Sequence, residues 1–134
     1  MDQRGVALAY GDTMTSIPEK NISLKQLEEL FANIRKAGKW NLSGDLLWGY
    51  FFTHHEPKLL EKASIILQKR GYHYVNIFMS DIDDPKAPNL YWLHIEKVET
   101  HTPSSLDSRN DEFYLFADEF AIDAYDGMDV GPLD

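Results

Sequence analysis

The sequence contains no cysteine. Disulfides, thiolate zinc sites, iron–sulfur clusters and cysteine nucleophiles are therefore excluded. No apolar run approaches the ~20 residues of a membrane span. Met1-Asp2-Gln3-Arg4 followed by Val6-Ala7-Leu8-Ala9 has neither a basic leader nor a sustained apolar region, so a cytoplasmic protein is expected rather than a secreted one. Walker loops, G-x-G-x-x-G turns and G-x-S-x-G elbows are missing as well. There is no internal repeat, linker or low-complexity tract.

Basic residues are scarce at one end. The last 34 residues carry nine acidic side chains and a single basic one, Arg109, for a net of -8, whereas residues 1–100 sum to -1. A chain of net charge -9 repels nucleic-acid backbones and anionic membrane surfaces, which both need Lys and Arg. The same charge speeds association with a basic protein partner. Acidity also serves solubility, so charge alone does not choose between the two.

The 134 residues suit one domain, and hydrophobic periodicity orders it. Residues 1–20 read as an irregular arm, with one short strand around Val6 to Tyr10. Ser23 and Gln26 form a capping-box pair, and Leu27, Leu30, Phe31 and Ile34 predict a helix over Leu24 to Ala37. Leu46 to Phe52 is apolar on both faces, as a central strand is. Pro57 opens a second helix that Gly71 ends, and Tyr72 to Met79 alternates as a strand. A turn at Asp81 to Asn89 leads to a third strand, Leu90 to Val98. Thr102-Pro103 starts a helix running to about Ala121, and Ala124 to Val130 supplies a last strand interrupted at Asp126-Gly127. After the first helix the order is strand, helix, strand, strand, helix, strand. That order predicts an α+β fold: a two-layer α/β sandwich, ferredoxin-like βαββαβ over residues 21–134, with an additional N-terminal helix.

Candidate chemistry is sparse. His54-His55 are neighbours on a strand and point apart, which suits a polar turn better than a metal pair. Aligning Met79 with Leu90 places His73 opposite Glu96 and Val75 opposite His94, as sheet-surface residues. His101 has no visible partner. Asp81-Ile82-Asp83-Asp84 lacks the glycine and terminal glutamate of a calcium loop. Asp111-Glu112 and Asp118-Glu119 are helix neighbours that splay, and Ser64 reads as helix surface. No cofactor and no metal are expected.

Aromatics are plentiful, at 13% of the chain, and many fall on strands. Two helices cover only one face of such a sheet, so the other is solvated or bound. Tyr72, Tyr74 and Phe78, or their alternates, would line it. An RNA-stacking platform needs a basic surround that is absent here. A protein partner, a second copy, or the helix Leu24 to Ala37 folded over that face fits better.

Trp48-Gly49-Tyr50-Phe51-Phe52, the helix stop Gly71-Tyr72, the strand Tyr91-Trp92-Leu93-His94-Ile95 and the ending Tyr125-Asp126-Gly127 together resemble the RraB family, over about residues 46–130. Family members often continue Tyr-Asp-Gly with Trp, where this chain has Met128. The resemblance implies a ferredoxin-like α/β sandwich that is not an enzyme, binds ribonuclease E and alters which transcripts it cuts. Small acidic proteins of this kind also serve as immunity proteins against basic nuclease toxins. A third reading is a small-molecule site or enzyme on the open sheet face, using His73 or His94. For either protein-binding reading the expected contact residues are Asp107, Asp111, Glu112, Asp118, Glu119, Asp123, Asp126 and Asp129, with Tyr114 and Tyr125 as exposed anchors.

Overall fold

The computed structural model describes residues 20–38, 40–80, 86 and 88–133. The expected irregular arm, apart from Lys20, and the aspartate turn at Asp81–Asp84 lie outside these residues.

Helix α1 (Leu24–Ala37) begins at Ser23, whose side chain and that of Gln26 form the anticipated capping box, and it stops at Gly38 in the left-handed region at φ 67°. Strand β1 (Leu46–His54) runs two residues beyond the expected end, because Thr53 and His54 are buried and still paired to β3. Helix α2 (Pro57–Lys69) has proline in its first turn, where a missing N–H costs nothing. Strand β2 is His73–Met79 and strand β3 is Tyr91–Glu99. Helix α3 (Pro103–Glu119) opens with a second capping box, Thr102 with Ser105, and strand β4 is Ala124–Gly131.

The strands form one antiparallel sheet in the order β2-β3-β1-β4. Each strand–helix–strand connection therefore skips one strand, and the helices gather on a single face. The result is a two-layer α/β sandwich. Leu46, Trp48, Tyr50 and Phe52 of β1, with Leu93 and Ile95 of β3, point into the helical layer and are buried. Leu60 and Leu67 of α2 and Leu106, Phe113 and Phe116 of α3 meet them there. Phe113 is the hub: its ring lies 4.8 Å from Tyr50, 5.3 Å from Phe52, 5.3 Å from Tyr72 and 5.2 Å from Tyr125. Such tilted aromatic pairs each add roughly 0.5–1.5 kcal/mol beyond burial.

Two expectations about the sheet are corrected. Helix α1 does not fold over the open face. Its buried residues Leu27 and Phe31 join the core, and Phe31 stacks on Trp48 at 6.0 Å, so α1 lies beside α3 in the helical layer. The reason is its apolar stripe, which is buried more completely at the edge of an existing aromatic core than on a half-polar sheet surface. The β2–β3 hairpin starts in the expected register, His73 opposite Glu96, but a bulge at Val75 shifts it, so His94 faces Asn76 instead of Val75. That bulge also turns Tyr74 and Ile77 toward the helical side and leaves Phe78 opposite Trp92.

Candidate functional site

The polar groups nearest the core form a network the sequence did not disclose. Tyr50 Oη donates to Glu99 Oε2 at 2.7 Å, His101 Nε2 lies 3.1 Å from the same oxygen, and Arg109 Nη2 donates to Glu99 Oε1. Arg109 Nη1 also reaches Glu112 at 2.8 Å, and His101 Nδ1 meets Ser105 Oγ at 2.9 Å. Trp48 Nε1 donates to the Glu99 carbonyl at 3.0 Å, and its ring takes His101 edge-on at 5.1 Å. Burial alone would raise the Glu99 carboxyl. Hydrogen bonds from His101, Arg109 and Tyr50 outweigh that and hold it at about 2, against an ordinary 4.5. Burial and the Glu99 carboxylate push the Tyr50 phenol up, so it stays a donor. His101, expected to stand alone, is thus buried with partners on both ring nitrogens. The only hint was the alternation of Trp48 and Tyr50 on one strand face; the partner positions depend on the β1–β3 register. Glu99 joins residues of three elements in this way, which makes the cluster a structural clasp between β1, β3 and α3.

His54 and His55 also act structurally. Glu56 N donates to His54 Nδ1 at 2.7 Å, which puts the His54 proton on Nε2, 3.0 Å from the Ala121 carbonyl it donates to. His55 Nδ1 and its backbone N–H both contact Asp123, at 2.6 and 3.1 Å. Among the described residues, no group of three or more His, Asp or Glu is arranged to hold a metal ion.

The structure separates the acidic residues expected to meet a partner. Asp107 and Asp111, one turn apart on α3, both pair with Lys20 at 2.8 Å. One turn further, Tyr114 Oη accepts from the N–H groups of Asn21 and Ile22, each at 3.1 Å. This stripe at i, i+4 and i+7 is an internal clamp that ties the approach to α1 onto α3. Glu112 is held by Arg109, and Asp123 by His55. Tyr125 is not an exposed anchor: it is 1% exposed, and its hydroxyl donates to buried Asn110 at 2.6 Å. Tyr114 is buried too. Of the expected set, Asp118, Glu119, Asp126 and Asp129 have no ion-pair partner among the described residues. They do not share one surface, because the first two end α3 while the last two lie on β4.

No described element covers the other face of the sheet. Phe78 stacks on Trp92 (6.2 Å, 9° between planes), Phe51 meets Trp92 edge-on at 6.3 Å, and His94 stacks on Phe51 at 4.4 Å. Of the expected platform only Phe78 lies here, since Tyr72 is buried in the helical layer and Tyr74 pairs with Ile95 on that side; Trp92 and Phe51 supply the other rings. Beside these rings lies a groove of about 730 Å³ that reaches Ile22 and Asp126-Gly127. Gly127 sits at φ 143° just past a bulge in β4, where Asp126 drops out of the pairing with β1. Tyr125-Asp126-Gly127 therefore has a physical role: a buried tyrosine, an outward carboxylate, and a glycine that makes the bend. On the same face a second hollow of about 210 Å³ lies over Gly49. A Cβ at Gly49 would collide with the Asp129 carboxylate and lie 2.9 Å from His94 Nε2, so the absent side chain lets these groups converge.

The fold is thus a two-layer α/β sandwich whose aromatic sheet face no described element covers. Its family is shown by comparison. Residues 24–130, from the first residue of α1 into β4, match the family described as Regulator of ribonuclease activity B, and the chain belongs to that family. The match takes in α1, which the resemblance read from residues 46–130 left out. No curated protein matches the sequence closely enough to serve as a relative. Among the described residues no helix is long and apolar enough to cross a membrane.

Proposed function

We propose that this protein restrains a ribonuclease, ribonuclease E or a close equivalent, by binding it directly in the cytoplasm, without chemistry of its own. The observation that carries this reading is the family match, which spans every helix and strand described. Two features support it. Three interior titratable groups, Glu99, His101 and Arg109, are engaged in holding the fold. The outward carboxylates Asp118, Glu119, Asp126 and Asp129 favour a basic partner through faster encounter.

The test titrates the purified protein into ribonuclease E cleaving a defined RNA. Cleavage falls and saturates near one equivalent, a complex sediments, and the protein alone leaves the RNA intact. Undiminished cleavage with no complex would sink the reading, and cleavage by the protein alone would contradict its non-enzymatic part.

A further inference from the structure

We propose that the open sheet face, and not the acidic end of α3, is the docking surface, and that it takes a basic segment of the protein partner. An apolar side chain of that segment enters the groove of Phe51, Phe78 and Trp92, and a basic side chain enters the neighbouring hollow lined by Glu96 and Asp129. The inference rests on the binding reading above and deepens it by naming the surface and the chemistry of its occupant.

Three observations point to this occupant. First, the charge on the face has one sign. Glu96, Asp126 and Asp129 lie on it, unpaired among the described residues, while the one lysine or arginine of the described strands, Lys97, lies over the Tyr72 ring on the helical side at 4.7 Å. Second, the apolar surface is built and not scattered. Phe78 is 40% exposed beside the partly buried Trp92 and Phe51, and ring contacts hold the three aromatics in place. Preformed aromatic grooves next to charge are where binding energy concentrates. Third, the hollow beside Gly49 has two carboxylates, Glu96 and Asp129, in its lining and no lysine or arginine. A cationic side chain there meets carboxylates with no competing cation in the lining.

The acidic helix makes a poorer anchor. Asp107, Asp111, Glu112 and Asp123 would have to leave Lys20, Arg109 and His55 to meet a partner. The hollow beside Asp118 is about 280 Å³, less than half the volume of the groove on the sheet. Asp118 and Glu119 are left to steer.

The experiment has two arms. In the first, the same ribonuclease is titrated with the wild-type chain and with Trp92→Ala, Phe78→Ser, Asp129→Lys and the pair Asp118→Lys, Glu119→Lys, each checked for a native melting transition. Phe78 is on the edge strand, so its variant keeps the test alive if Trp92→Ala unfolds. The sheet-face variants weaken binding by roughly tenfold or more, and the helix pair by less than roughly threefold. The reverse ranking, or unchanged binding in all sheet-face variants, overturns the proposal. In the second arm the free protein is titrated with a short synthetic peptide of arginine and leucine, followed by amide and indole NMR signals. Shifts centre on Trp92, Gly49 and Gly127, and they vanish when the arginines become glutamate or the leucines serine. If the ribonuclease binds no form of the protein, the ribonuclease reading fails and this arm alone judges the face. Shifts confined to the helices overturn the proposal. So does a single-stranded RNA that shifts these signals where the peptide does not, or a dimer of the free protein that Phe78→Ser dissolves.

Discussion

Replacing Glu99 with Gln tests whether the buried clasp holds the two layers together. The carboxylate titrates at about 2 in the folded protein, against 4.5 for an unhindered glutamate. A folded value below the unfolded one means the stabilisation is complete above the unfolded pKa and is lost as pH falls toward the folded one. Each pKa unit corresponds to about 1.4 kcal/mol, so the difference caps the contribution at roughly 3 kcal/mol, present above about pH 5 and gone near pH 2. For a domain of this size that is a loss of about 10 °C in melting temperature. Glu99→Gln keeps the shape and removes the charge that Arg109 and Tyr50 address. At pH 7 it unfolds in less urea by an amount equivalent to about 3 kcal/mol, with an unchanged m-value. The decisive quantity is the difference between wild type and variant across pH: it shrinks steadily from pH 5 downward. A constant difference over that range, or none at pH 7, would refute the reasoning, because the carboxylate would then titrate as a free surface group.

Three further outcomes are expected. Helix α3 ends in a Schellman arrangement, Ile122 N–H to the Ala117 carbonyl at 2.8 Å and Ala121 N–H to that of Asp118, yet Ala121 occupies the left-handed position at φ 56° where α2 has Gly71. Ala121→Gly relieves that strain and raises stability by about 0.5–1 kcal/mol in urea unfolding; a loss of stability would contradict it. Tyr125→Phe leaves the Asn110 side-chain oxygen without its 2.6 Å donor inside the core and costs about 1–3 kcal/mol, read from thermal melting, with no change in ribonuclease affinity beyond that of the unfolded fraction. Reversing Asp118 and Glu119 to Lys slows association with the ribonuclease by roughly twofold at low salt and flattens its salt dependence, with dissociation unchanged in stopped-flow records; equal association rates would make the end of α3 only a solvated face.

Element order was legible because its signals are local. Ser23 with Gln26, Pro57, Gly71 and Thr102-Pro103 mark helix ends through hydrogen bonds within a few residues of themselves. Strand β4 was the least regular in sequence, and its oddity is now a bulge at Asp126 that only the pairing with β1 reveals. The candidate site was legible in kind and not in place. An open aromatic face followed from two helices on one sheet, but its members followed from the register: the bulge at Val75 sets Phe78 against Trp92, and His94 joins them by stacking on Phe51. The pairing of the acidic residues was hidden for a related reason. Charge density is visible along the chain, whereas the Lys20 that neutralises Asp107 and Asp111 is more than eighty residues away.

By itself, then, the sequence determined the helices, the strands, their order, the absence of thiol chemistry and the uneven spread of charge. These are properties of composition and of neighbours within a turn or a strand. Only the tertiary structure decided which carboxylates are already paired, that His101 and Tyr125 are interior, and that the missing side chain at Gly49 lets Asp129 and His94 converge. Each of those depends on residues brought together from distant elements. The pairing register of the sheet and the packing of α1 beside α3 set those meetings, and neither is encoded at any single position.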